Sequence, residues 1–328
     1  MPKCDAVFQG GGVKGIGFAG AVSAIERAGY EFVNLAGTSA GAIMAALLAV
    51  GYTGAEIEKE IMGLDYSQFC GGAGPGRFGV LGKAMSLGLF WGMHKTDYFE
   101  NWLNELLERK GRMVFGDIST GSGIPQYKYR FQAIASDISR KRMLVLPGDL
   151  AEFGIDPDGF SIARAVRMSI SIPFYFMPYW LTGPLMESLV VDGGILSNYP
   201  VWLLDDGTND PPWPTFGFKF AGAQDERAQP AKITNIQGYS KAIVGTLLEA
   251  HDNREISTHK GDHKRSIVIS TEVYTGKGKR KRKKIKTTDF DITPEESRAL
   301  FKNGADAAEK FLAEWDFEKW KRIYRHRS

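Results

Sequence analysis

The sequence predicts an α/β fold with a parallel sheet, and three observations carry that prediction. Short apolar strands alternate with apolar helices over residues 5–50, and glycine-rich turns join each strand to the helix behind it. At 328 residues and 43% hydrophobic, the chain is long enough to bury one large core.

In chain order, residues 5–9 read as a strand, 16–28 as a helix, 31–36 as an alternating strand and 42–50 as a buried helix ended by Gly51. Thr53 and Glu56 have capping-box spacing and start a third helix. Periodicity then fails, and the glycine-rich stretch with Phe69, Phe78, Phe90 and Trp91 reads as a lid over about 63–95, or as a plain loop. A helix near 98–110 and strands near 128–136 and 142–146 follow, the last stopped by Pro147. Residues 161–168 read as a short helix whose exit leads, past Pro173, to a strand ending in Asp192-Gly193-Gly194. Thr293, Pro294 and Glu296 supply an N-cap, a first-turn proline and a capping acid for a helix to about residue 312.

Composition narrows the function classes. Cys4 and Cys70 are far apart and lack metal-ligand spacing, so a reducing, cytoplasmic setting is expected, with no disulfide framework and no metal. No signal-peptide pattern precedes the first strand, and the longest apolar runs, 42–50 and 169–181, fall well short of the ~20 residues of a spanning helix. The net charge of +3 hides a split: Lys277, Lys279, Arg280, Lys281, Arg282, Lys283, Lys284 and Lys286 form an acid-free run, while the rest of the chain is net acidic. Between the strand-like segments 266–274 and 287–292, this run suggests a projecting basic hairpin that touches anionic membranes peripherally, or a solvated loop. No nucleic-acid partner is expected, and oligomeric state is not legible.

Three stretches carry candidate chemistry. Gly37-Thr38-Ser39-Ala40-Gly41 sets a serine between glycines at a strand-to-helix junction, where a sharp turn exposes a nucleophilic hydroxyl near free helix N–H groups. A serine that merely caps the helix fits the same letters. Gly10-Gly11-Gly12-Val13-Lys14-Gly15 satisfies G-x-G-x-x-G, yet the acid that would bind ribose is missing from the end of the second strand, and no Walker Lys-Ser/Thr pair follows. Consecutive glycines instead leave unshielded N–H groups able to converge on an oxyanion. Lys14 adds a charge there or stands as a structural lysine. His94, His251, His259, His263 and His326 are poorly placed to serve as the base. Asp192 at a strand end suits that role better, with a turn-forming Asp-Gly as its alternative; a carboxylate near pKa 3.9 would need desolvation to act as base.

Together these pieces resemble the patatin-like phospholipases in order and spacing. Further likeness runs through residues 114–118, 135–137, 163–173 and 198–200, covering about 4–220, with a weaker match in the helix from Thr293. The resemblance implies a three-layer α/β/α sandwich with a largely parallel central sheet, as one catalytic domain over 1–328 with an extension over about 221–328. It implies a Ser39–Asp192 dyad, an oxyanion hole at Gly10, Gly11, Gly12 and Val13, support from Lys14, Gly37, Gly41, Gly193 and Gly194, lipid acyl esters as substrates, and no cofactor. A nucleotide-binding oxidoreductase on the glycine loop and a non-catalytic lipid-binding protein on the same fold are the competing readings.

Overall fold

Eight strands form the central sheet of the computed structural model, which describes residues 1–64, 91–94, 96–205, 207–221, 233–234, 238–239, 242–243, 245–247, 261–276 and 281–325. The elements run β1 (Lys3–Phe8), α1 (Ile16–Arg27), β2 (Glu31–Thr38), α2 (Ala40–Ala49), α3 (Gly54–Met62), β3 (Gly92–His94) and α4 (Asp97–Arg109). They continue with β4 (Phe131–Asp137), β5 (Arg142–Leu146), α5 (Ile162–Ile170), β6 (Phe174–Phe176), β7 (Tyr179–Thr182), β8 (Glu187–Asp192) and β9 (Thr215–Phe220). The chain then forms β10 (Ser266–Ile269), β11 (Glu272–Thr275), β12 (Lys281–Lys284), α6 (Pro294–Glu314) and α7 (Phe317–Tyr324).

The sheet order is β10-β9-β1-β2-β4-β8-β7, with β5 also on β4. From β10 to β4 every pairing is parallel, while β5, β8 and β7 join antiparallel. The parallel strands bury both faces, as their continuous apolar runs require: β4 is buried at every position. The result is the expected α/β/α sandwich. The capping boxes at Thr53/Glu56 and Thr293/Glu296 both form and start α3 and α6.

Helix α6 packs on α1 through glycines. A Cβ at Gly304 would lie 1.8 Å from the carbonyl oxygen of Gly17, and one at Gly20 would lie 1.9 Å from that of Phe301. Phe216 on β9 meets the rings of Phe311 and Trp315 at 5.2 and 5.3 Å. The chain beyond residue 221 therefore contributes a sheet strand and a covering helix to the same core.

One expectation is corrected, and another falls largely outside the described residues. Within the lid reading, 65–90 lie outside the described residues, but 92–94 form β3, paired with β6, and His94 is buried there against the ring of Tyr175. Backbone pairing, rather than loop character, holds this end of the stretch. The basic hairpin exists with a different second arm: Lys281–Lys284 is itself the strand, and Glu272 lies opposite Lys284. Residues 287–292 do not form a strand; Asp289 accepts the Lys286 N–H at 2.9 Å and turns the chain. Arg282 is ion-paired with Glu272, and Lys283 with Glu296 at 2.9 Å, whereas Lys284 and Lys286 are exposed. Lys277, Lys279 and Arg280 lie outside the described residues.

Replacing Gly304 by valine forces the α1–α6 backbones apart. Denaturant unfolding is expected to show a loss of roughly 1–3 kcal/mol, the usual cost of overpacking, with little change in m-value.

Candidate functional site

Ser39 occupies the single residue between β2 and α2, at φ 53° and ψ −123°. A non-glycine residue held there stores about 1–3 kcal/mol and persists only where its surroundings leave no alternative. Here they leave none. A Cβ at Gly37 would come within 2.3 Å of the Gly41 carbonyl, and one at Gly41 within 2.2 Å of the Phe8 carbonyl oxygen. The flanking glycines are thus what lets the ends of β1, β2 and α2 meet. The Ser39 side chain makes no capping bond to α2, so the helix-cap reading fails. Its N–H donates to Ser169 Oγ at 2.9 Å, and Thr38 Oγ1 donates to the Ser197 carbonyl at 2.9 Å.

Strand register brings Asp192 to the same level. Thr38 lies opposite Ile134 across β2–β4, and Asp192 opposite Ala135 across β4–β8, so the ends of β2 and β8 flank β4 side by side. The Asp192 side chain is buried, and its N–H donates to the Ser171 carbonyl at 2.9 Å. Oδ1 accepts the Gly194 N–H at 2.7 Å, so Asp192 does shape its Asp-Gly turn. Oδ2 makes no hydrogen bond of ordinary geometry among the described residues. Burial pushes the carboxyl up to about 7, opposed by the Gly194 N–H and by the neighbouring Ser39 hydroxyl. The Ser39 hydroxyl is thus close enough to the carboxyl to hold its pKa down. Gly193 packs on β4, where a Cβ would meet the Ile134 carbonyl oxygen at 2.2 Å.

The glycine loop lies beside them, with its amides unequally placed. Gly10 N–H donates to the Asn198 carbonyl at 2.9 Å and Val13 N–H to the Thr287 carbonyl at 3.2 Å. Gly11 and Gly12 N–H carry no hydrogen bond among the described residues. Gly12, at φ 55°, has no room for a Cβ, which would sit 2.1 Å from the Thr287 oxygen. Lys14 Nζ stands 4.8 Å from the centroid of the Phe220 ring.

This arrangement coincides with a sequence match: residues 6–205 match the patatin-like phospholipase family. The chain belongs to that family. Over 317 residues it is 37% identical to the uncharacterised protein YqhO of Bacillus subtilis, covering 95% of this chain and 99% of that one. Over 275 residues it is 26% identical to protein R571 of Acanthamoeba polyphaga mimivirus, covering 81% and 82%. Among solved structures it resembles VipD from Legionella pneumophila, with a TM-score of 0.56 and 20% identity over 94% of this chain and 66% of that one. That likeness concerns the fold. Membership sets the chain among lipid hydrolases and leaves the nucleotide-binding oxidoreductase reading without support.

A narrow cavity of about 80 Å³ opens at Ser39 and Gly12 in this patatin-like protein. Apart from Ser39 its walls are apolar: Ile43, Met44, Ile61, Leu64, Phe99, Trp102, Ile170, Ile172, Phe176 and Phe290 are among them. Of the residues that build the site, sequence reasoning missed Ser169, Ser171, Thr287 and Phe290. A serine at a helix exit has no periodic signature, and Thr287 and Phe290 reach the site only through tertiary packing. Among the described residues no group of three His, Cys, Asp or Glu is arranged to hold a metal, and no helix is long and apolar enough to cross a membrane.

The raised pKa of Asp192 has a stability consequence. The folded carboxyl holds its proton to about 7 while the unfolded one releases it near 3.8. Its favourable contribution is therefore fully present below pH 3.8 and is lost as pH rises to about 7. Asp192→Asn, which keeps an oxygen for Gly194, removes this dependence. Unfolding across this range should show the variant gaining on wild type as pH rises, by an amount on the order of a few kcal/mol, then levelling off.

Proposed function

We propose that this patatin-like protein hydrolyses fatty acyl esters of lipids such as phospholipids and lysophospholipids, with Ser39 as nucleophile and Asp192 as its base. The observation that carries the reading is a buried carboxylate, raised to about 7, beside a strained serine whose side chain has no structural bond to the helix it precedes. At that pKa the carboxylate is a far better base than a solvated aspartate, so the dyad needs no histidine to activate Ser39.

Asp192, ionised, takes the Ser39 proton as Oγ attacks the ester carbonyl carbon. The carbonyl oxygen becomes an oxyanion facing the N–H groups of Gly11 and Gly12, donors worth about 3–4 kcal/mol each in acyl transfer. Collapse breaks the ester bond; the proton held by Asp192 goes to the leaving alcohol, and the acyl group stays on Ser39. Water, deprotonated by Asp192, then attacks the acyl carbon; as the bond to Ser39 Oγ breaks, Asp192 returns the proton to Oγ and the fatty acid is released. The apolar walls at Ser39 suit the chain of an acyl group rather than a polar head.

Ser39→Ala and Asp192→Asn are each expected to lower kcat by at least ~10³-fold on a soluble ester, the double variant being hardly worse because the pair acts as a unit. An alkyl fluorophosphonate should modify Ser39, located by mass spectrometry. Wild-type kcat/KM should fall as pH drops below about 7, where Asp192 takes up its proton. Wild-type turnover in folded Ser39→Ala would refute the dyad.

We also propose that the basic segment attracts anionic bilayers, with two of its cations, Arg282 and Lys283, already committed to Glu272 and Glu296. Replacing Lys277, Lys279, Arg280, Lys284 and Lys286 by serine should reduce co-sedimentation with anionic vesicles at low salt and leave soluble-ester hydrolysis unchanged. A charge near such a surface is worth about 1 kcal/mol, so the loss should be large and should vanish at high ionic strength.

A further inference from the structure

Resting on the dyad reading, we infer that the exit of α5, residues 169–171, is a positioning device that holds both Ser39 and Asp192 from behind, with the Ser169 hydroxyl as the group that orients the nucleophile.

Ser169 Oγ has one proton, and that proton goes to the Ile134 carbonyl at 2.6 Å. Its contact with the Ser39 nitrogen at 2.9 Å can therefore have only one polarity, with Ser39 N–H donating. The bond fixes the plane of the peptide that enters Ser39, the residue whose φ of 53° the chain would otherwise relax. Two residues on, the Ser171 carbonyl accepts the N–H of Asp192 at 2.9 Å. One turn of chain thus carries an acceptor for each member of the dyad.

That turn is itself braced. Ser171 Oγ donates to the Arg167 carbonyl at 2.8 Å and closes the last turn of α5. The Arg167 side chain is tied to Glu100 at 2.6 Å and to Asp97 at 3.2 Å, both on α4. The Ile134 carbonyl that anchors Ser169 is also the atom on which Gly193 sits, next to Asp192. Nucleophile and base are consequently referenced to one carbonyl of β4, and their separation is set by short hydrogen bonds rather than by the flexibility of two loops. A fully buried serine between Met168 and Ile170 gains nothing from its hydroxyl in packing, where alanine would serve; the hydroxyl earns its place by its two bonds.

The test compares wild type, Ser169→Ala and Ser169→Cys by three measures: kcat and KM on a soluble short-chain ester, the rate of fluorophosphonate labelling at Ser39, and the pH–rate profile. Ser169→Ala is expected to lower kcat and the labelling rate together by about 10- to 100-fold, the cost of a small misplacement at the reacting atoms, with KM nearly unchanged. The acid limb of its profile should move to higher pH, because a displaced Ser39 hydroxyl no longer helps hold the Asp192 carboxyl pKa down. Ser169→Cys, a weaker donor of similar shape, should recover part of the rate; if the alanine variant does not fold, the cysteine variant's kcat and acid limb decide the matter. A folded variant with wild-type kcat, labelling rate and acid limb, whatever its melting temperature, would make Ser169 a packing residue and overturn the inference. Failure of the dyad reading looks different: wild type itself would then not be labelled at Ser39.

Discussion

The structure depends on a close approach of backbones at the ends of β1 and β2. Gly41 lies against the Phe8 carbonyl and Gly37 against Gly41, at separations that exclude any side chain. This contact seats the N-terminus of α2 on the sheet and forces Ser39 into a conformation it would not adopt alone. The strain is local, and its support is spread over β1, β2, β4 and α5. The sandwich accordingly acts as the rigid frame for one residue, and Ser39 lies at the end of the parallel strands, where α/β sheets leave a crevice.

A second constraint is electrostatic. Asp192 is buried without a cationic partner among the described ion pairs, in contrast to Asp205 and Asp262, which Arg265 neutralises. Burial therefore raises its pKa, where an ion pair would have lowered it. The fold gives up some stability at neutral pH to keep an unneutralised carboxylate beside the serine. Arg265 gives Asp262 a counter-ion; a proton acceptor, the role proposed for Asp192, is more useful without one.

The part of the chain beyond residue 221 closes the site rather than merely following it. The Thr287 carbonyl engages Val13 N–H, Phe290 lines the apolar cavity, and β10 and α6 complete the sheet and its cover. Thr287 and Phe290 follow the basic strand β12 within a few residues, so the segment proposed to meet lipid is covalently close to the one that lines the apolar cavity. Thr287 occupies Val13 N–H and Asn198 occupies Gly10 N–H, which leaves the Gly11 and Gly12 amides without a hydrogen-bond partner among the described residues.

By itself the sequence determined what depends on neighbours along the chain. Strand and helix periods, the capping boxes at Thr53 and Thr293, the tight turn around Ser39 and the Asp192 turn are all local, and their order and spacing sufficed to name the family. Tertiary structure decided what depends on register and burial. Whether Asp192 reaches the level of Ser39 follows from the pairing of β2 and β8 with β4; its pKa follows from its burial; and which glycine amides stay unpaired follows from where Asn198 and Thr287 fall. The basic run shows the same division: its charge is plain in the letters, but Glu272 and Glu296 neutralise two of its members only because β11 and α6 bring them there. Local patterns encode conformations, whereas hydrogen-bond partners and desolvation arise from residues distant in sequence, which one chain read alone does not pair.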